Sequence, residues 1–158
     1  MTKKTKRMIE INYNVDEIKW KKSFPNFKKY ISKSVNEIFK VNDIGIKENI
    51  SVNFFLTSNK KIQELNFKYR KKNKPTNVLS FPMQSSYMNT YLLGDIVLAN
   101  QTLLKEATEL RITKYDYLCK ITIHGMLHLL GYDHKTEKQF TQMRKFENLI
   151  YNTMKKKV

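Results

Sequence analysis

The apolar residues change period along the chain, and the changes divide it into elements. Met8 to Tyr13 alternates and predicts a short edge strand. Trp20 to Phe39 carries apolar residues three and four apart and predicts an amphipathic helix interrupted near Pro25. Ser51 to Leu56 returns to alternation with β-formers, a second strand, and Ser58 then caps a helix running to about Tyr69 with Ile62, Leu65 and Tyr69 on its inner face. Val78 to Phe81 and Asp95 to Leu98, bounded by Pro82 and Gly94, predict two more strands joined by a polar loop from Gln84 to Tyr91. Tyr87 and Tyr91 in that loop invite stacking on unpaired bases, although a plain hairpin excursion is the simpler reading. From about Asn100 the period is helical to the end. Thr113 to Leu130 is apolar on nearly every side, through Leu118, Ile121, Met126, Leu127 and Leu130, and predicts a central buried helix. Phe140, Met143, Phe146, Ile150 and Met154 then form a core-facing stripe, and the closing Lys155, Lys156 and Lys157 read as a frayed basic tail. The expected fold is α/β of the α+β kind: one domain over residues 1–158, with a small mixed four-stranded sheet packed with helices.

Composition narrows the class. At 158 residues with 41% hydrophobic and 28% charged content, the chain is long enough for a real core and ordinary for a globular protein. No run of eighteen apolar residues spans a membrane, and the basic start MTKKTKRMIEI has no apolar stretch after it, against a secretory signal. A single cysteine, Cys119, excludes a disulfide framework and fits a reducing compartment, so the expected location is cytoplasmic. The formal net charge of +16 would attract a polyanion. Lysines outnumber arginines 26 to 4, however, and the chain is rich in Asn and Ile, a bias that an A-rich coding sequence produces whatever the function.

The chemistry concentrates in one window. All three histidines lie in HGMLHLLGYDH, from His124 to His134. His124 and His128 are four residues apart, so on a helix their rings share a face about one turn from each other. Gly131 lacks a Cβ, can take a left-handed conformation, and so ends the helix and returns the chain, bringing His134 to the same ion from a loop. Three imidazoles leave a tetrahedral ion one open position, the mark of a catalytic rather than a closed structural site. Cys119 falls on another face of the helix and reads as buried filler.

The spacing matches that of the metzincin proteases, and a zincin-like active-site helix is expected. One position disagrees: those enzymes carry Glu directly after the first His as general base, and here the residue is Gly125. Peptide hydrolysis needs a proton shuttle that glycine cannot offer. A phosphodiester beside a 2′-hydroxyl carries its own nucleophile and asks less.

The window from His124 to His134 matches every fixed position of HGxLHLxGYDH, the pattern of the YbeY endoribonucleases, and the chain resembles that family from about Val52 to its end. LNFKYRKKNKPTNVLSFP, Leu65 to Pro82, is similar to the family's LNxxYRxxxxPTDVLSFP, and LGDIVLAN, Leu93 to Asn100, to its LGDI strand. One departure stands out: Asn77 replaces the family's usual Asp, removing a carboxylate that could orient Arg70 or a neighbour. The resemblance implies a metal-dependent, single-strand-specific endoribonuclease acting in 3′-end maturation of small-subunit (16S) ribosomal RNA and in ribosome quality control. It implies one Zn²⁺ per chain held by His124, His128 and His134, with Arg70 important for activity.

Local charge agrees with that expectation. Lys68, Arg70, Lys71, Lys72 and Lys74 crowd before Pro75 as candidate RNA-binding residues, and the planar fork of Arg70 suits bidentate phosphate contact. The catalytic candidates are Arg70, His124 and Asp133, the last as partner to an imidazole N–H or as a base. Expected partners are ribosomal RNA and the small ribosomal subunit, with no membrane, for a monomer. Two alternatives stay open: a zinc hydrolase of another substrate, such as a metalloprotease, and a non-catalytic RNA-binding ribosome-assembly factor.

Overall fold

A computed structural model describes residues 7–41 and 45–156, so the first basic residues and Lys157 of the closing tail lie outside the described residues. The elements run β1 (Ile9–Val15), α1 (Lys19–Ser23), α2 (Phe27–Val41), β2 (Asn49–Thr57), α3 (Asn59–Arg70), β3 (Val78–Tyr87), β4 (Thr90–Ala99), α4 (Asn100–Glu109), α5 (Lys114–Leu129) and α6 (Glu137–Lys156). The strands form one mixed sheet in the order β1-β2-β4-β3, with β1, β2 and β4 parallel and β3 antiparallel to β4. This is the small mixed sheet the pattern predicts. The helical segment around Pro25 divides as expected, α1 ending at Ser23 and α2 starting at Phe27.

Alternation along β2 decides which face is which. Ile50, Val52, Phe54 and Leu56 are fully buried on the face covered by α2 and α5, where Trp20, Ile31, Ile38, Leu118 and Met126 complete the main core. Trp20 fits there because its indole N–H donates to the Thr57 carbonyl at 2.8 Å, leaving no buried donor unpaired. On the opposite face α3 packs over a small cluster of Ile62, Leu79, Val97 and Ala99. The rest of that face is polar, crossed by an amide ladder in which Asn12 donates to Asn53 and Asn53 donates to Asp95 at 3.1 and 3.0 Å.

Three details differ from the pattern. Gln84 to Tyr91 is not a loop: β3 continues to Tyr87, pairs Tyr87 with Thr90, and turns through Met88 and Asn89, whose φ of 46° and 62° suit a tight two-residue hairpin. Pro82 and Gly94 lie inside strands, at a register shift between Pro82 and Ser85. Gly94 has φ 137°, and a Cβ there would lie 2.2 Å from the Phe81 carbonyl, so only glycine fits the irregularity. Tyr69 and Phe140, expected inward, are 58% and 48% exposed, while Met143, Ile150 and Met154 of the same stripe are buried.

Candidate metal centre

Helix α5 is the platform of the site. Thr113 caps it by accepting from the Asp116 N–H, and Tyr117, Leu118, Ile123, Met126, Leu127 and Leu129 bury it against sheet and helices. Two hydrogen bonds from β3 fix its depth: the Ser80 hydroxyl donates to the Gly125 carbonyl at 3.1 Å, and the Gln84 amide donates to the Leu129 carbonyl at 3.2 Å. Gly125 sits at the closest approach, where a Cβ would meet Val78 at 3.2 Å and Ser80 at 3.3 Å. The position that carries Glu in metzincins thus faces the sheet, where any side chain would press on Val78 and Ser80. Cys119 is buried, as its spacing suggests, and burial raises its thiol pKa.

The helix ends as Gly131 predicts. With φ of 97°, Gly131 donates its N–H to the His128 carbonyl at 3.1 Å, and the Tyr132 N–H reaches the Leu127 carbonyl at 3.0 Å, the paired bonds of a Schellman ending. The Tyr132 ring packs 5.4 Å from Phe146, tying the reversed chain to α6.

That reversal brings the three rings together. One nitrogen from each of His124, His128 and His134 falls in a cluster whose members lie within 4.8 Å of one another. The Nε2 atoms of His124 and His128 face each other at 3.1 Å, close to the roughly 3.3 Å expected of two nitrogens on one tetrahedral ion at about 2.0–2.1 Å. Their other nitrogens are engaged: His124 Nδ1 lies 2.6 Å from Glu147 Oε1, and His128 Nδ1 lies 3.0 Å from the Tyr132 carbonyl. A carbonyl only accepts, so His128 carries its proton on Nδ1 and turns a bare Nε2 inward. The carboxylate asks the same of His124. Burial, followed by the two neighbouring imidazoles, lowers the His128 pKa and favours the neutral form that binds metal. Two inward lone pairs at 3.1 Å repel unless a cation stands between them, so the donor set fits a divalent ion.

Glu147 is the residue the sequence reading missed. It stands on α6, 23 positions from His124, and no local spacing signals the pairing. Asp133, expected on an imidazole, reaches none: its carboxylate accepts from the His134 backbone N–H at 2.7 Å and lies 3.7 Å from Lys135. The acceptor bond to that N–H, ahead of Lys135, lowers its pKa. A carboxylate adjacent in sequence folds onto its own turn, and the orienting role falls to Glu147 and the Tyr132 carbonyl.

Arg70 ends α3 and is exposed, with no hydrogen bond or ion pair to any described residue. Lys71 follows in the left-handed region at φ 58°, and its N–H donates to the Phe67 carbonyl at 3.0 Å. Lys68, Lys71, Lys72 and Lys74 are exposed beside it. Their backbone is pinned: the Asn66 amide donates to the Lys74 carbonyl at 2.9 Å, and Gln63 donates to Asn73 at 3.0 Å. Asn77 does not orient Arg70. Its amide donates to Glu106 at 2.9 Å, and the Tyr117 hydroxyl donates to the same carboxylate. Burial, followed by that carboxylate, pushes the Tyr117 pKa well up, so the hydroxyl stays a donor. An Asp at 77 would set two carboxylates against each other, so the amide here fits an acid supplied by Glu106.

Fold and site together define an α+β protein with a three-histidine centre at the end of a buried helix. Residues 13–155 match the family described as Endoribonuclease YbeY, and the chain belongs to it. The Endoribonuclease YbeY of Buchnera aphidicola is 42% identical over 125 residues, 78% of this chain and 76% of that one. The Pelagibacter ubique protein of the same name is 38% identical over 155 residues, 96% of this chain and 99% of that one. A solution structure from Thermotoga maritima superposes with a TM-score of 0.51 at 28% identity, covering 95% and 93% of the two chains.

Proposed function

We propose that this chain is a zinc-dependent, single-strand-specific endoribonuclease of the cytoplasm, acting as a monomer on ribosomal RNA of the small subunit, at the 3′ end of 16S rRNA and in ribosome quality control. One observation carries the reading: three imidazole nitrogens converge within 4.8 Å, in a chain of the Endoribonuclease YbeY family. No described helix is long and apolar enough to cross a membrane.

His124, His128 and His134 would hold the ion, which when bound supplies Lewis acidity toward a phosphate oxygen or water. Glu147 and the Tyr132 carbonyl hold the two helical rings by their Nδ1 atoms, so that the Nε2 lone pair of each neutral ring is the one aimed inward. Asp133 shapes the turn that presents His134, through its bond to the His134 N–H, and we place its contribution there rather than in proton transfer. Arg70, without an internal carboxylate to satisfy it, is available for a phosphate, where a guanidinium fork offsets charge developing on the oxygens. Lys68, Lys71, Lys72 and Lys74 extend that positive surface along the backbone of a strand.

The test measures metal content of the purified protein by mass spectrometry, with cleavage of defined single-stranded and duplex RNAs before chelation, after it, and after zinc is restored. About one zinc per chain and single-strand cleavage that is lost and regained support the reading. Casein cleavage with RNA left intact would make it a protease, and metal-independent RNA binding without any cleavage would make it an assembly factor.

A further inference from the structure

Between α5 and α6 a cavity of about 370 Å³ opens directly beside the imidazole cluster, with His124 and His134 in its wall. We infer that this cavity receives one unpaired nucleobase of the RNA strand, next to the phosphate held at the three histidines; the inference rests on the RNA-cleaving reading and names a subsite for it.

The lining has the chemistry of a base pocket. Phe140 and Leu110 are 48% and 59% exposed, large apolar groups left in solvent at the mouth, and Met143 is buried at the floor. Two of the aromatic side chains in the wall, Phe140 and Tyr151, carry a cation. The Arg144 guanidinium lies 5.9 Å from the Phe140 ring centre and the Lys120 ammonium 4.9 Å from that of Tyr151. Neither cation has a carboxylate partner among the described residues. The one carboxylate in the wall, Glu147, is committed to His124. The Asn148 amide, also lining the cavity, makes no side-chain hydrogen bond with any described residue and offers both a donor and an acceptor.

Aromatic faces backed by cations, an exposed amide without a protein partner and no free acid favour a flat, neutral, hydrogen-bonding ring joined to a polyanion. Side chains that stack unpaired bases in this way recognise single strands, because a base in a duplex cannot leave its partner without loss of pairing and stacking. The pocket would therefore contribute to strand selectivity at a position separate from Arg70. It also accounts for Phe140 breaking the inward stripe of α6: the ring is left outward where a ligand can cover it.

The experiment uses fluorescence anisotropy with a labelled single-stranded RNA heptamer of mixed sequence and seven versions each carrying one abasic position. Wild-type protein should lose about tenfold in affinity for one abasic position and little for the others. Phe140→Ala should bind intact RNA about tenfold more weakly, and the sensitive abasic position should then cost nothing further. Phe140→Tyr should restore binding, and Arg144→Ala should give a smaller loss, with the sensitive abasic position still costing part of its wild-type penalty. Exposure of Phe140 and Arg144 keeps these variants folded, which circular dichroism checks. Wild-type binding indifferent to every abasic position, or Phe140→Ala binding intact RNA as tightly as wild type, overturns the pocket. Those results leave the metal-dependent nuclease intact, because that reading fails on different grounds, namely RNA cleavage that survives metal removal or never occurs.

Discussion

The imidazole cluster and the basic segment after α3 are built in opposite ways, although both are proposed to meet the same strand. At the cluster the two helical rings are held through their Nδ1 atoms, His124 by Glu147 and His128 by the Tyr132 carbonyl, on a helix bonded to β3 at two points. At Arg70 and its lysine neighbours the backbone is pinned by Asn66 and Gln63, while the charged ends make no hydrogen bond or ion pair with any described residue and Lys68 alone lies over a ring, that of Tyr69. Coordination tolerates little displacement of its donors, so rings must be fixed before the ion arrives. Phosphates along a flexible strand are met by long, mobile side chains whose contact is mostly Coulombic. The difference separates two kinds of loss: changes at the cluster act through folding and metal affinity, and changes at the basic segment act through the substrate alone.

The sharpest way to break the contrast is Gly125→Glu, which writes the metzincin base into this helix. With Val78 and Ser80 only 3.2–3.3 Å from a Cβ, the new carboxylate is forced against β3 with no cation to meet it. A buried, unpaired charge costs about 3–5 kcal/mol. A large fall in thermal midpoint, with loss of bound metal, is expected by calorimetry and mass spectrometry; a stable variant that hydrolyses casein would mean the helix lies elsewhere. Arg70→Ala tests the other region. Cleavage of single-stranded RNA should fall about 10²–10³-fold, as when one transition-state donor is removed, with thermal midpoint and metal content unchanged. Arg70→Lys should recover only part, since an ammonium cannot form the bidentate contact. Wild-type rates for Arg70→Ala would remove the residue from the mechanism.

The cluster was legible in the sequence because its geometry is local. Two histidines one helical turn apart and a glycine at φ 97° suffice to place three rings, and each is specified by near neighbours. The sheet was legible for the same reason, since β2 alternates without a break. What escaped was non-local. Glu147 meets His124 only because α6 packs against α5, and Asn77 meets Glu106 across 29 residues. The extended hairpin escaped for another reason. Its outer residues from Met83 to Met88 are exposed on an edge strand, so no buried alternation marks them, and Met-Asn is a weak turn signal beside Asn-Gly.

Glu147→Gln sharpens the comparison inside the cluster itself. An amide at 147 keeps the shape but lets either tautomer of His124 form, so the Nε2 lone pair is no longer enforced. Loss of such a carboxylate partner typically weakens metal binding by about 10–100-fold. Competition with a chromogenic chelator should show that drop while the thermal midpoint of metal-free protein barely moves. An unchanged zinc affinity would make the contact with His124 incidental.

The smallest effect belongs to the far end of α5, away from the rings, where Lys155 of α6 lies 3.0 Å from Asp116. Burial alone would raise the Asp116 pKa, but the hydrogen bonds from Lys155 and at Thr113 outweigh it and the net shift is downward. A carboxyl whose folded pKa lies below its unfolded value stabilises the fold in full above about pH 4 and loses that contribution as pH falls through the folded value. Asp116→Asn should therefore lower the thermal midpoint by about 2 °C or less at pH 7, because the pair is largely solvent-screened, and the difference from wild type should shrink as pH falls below the ordinary carboxyl range. Metal content and RNA cleavage at pH 7 should not change. If they fall with the midpoint, the two ends of α5 are coupled, and the rigidity assigned to the last turn depends on how the first is anchored to α6.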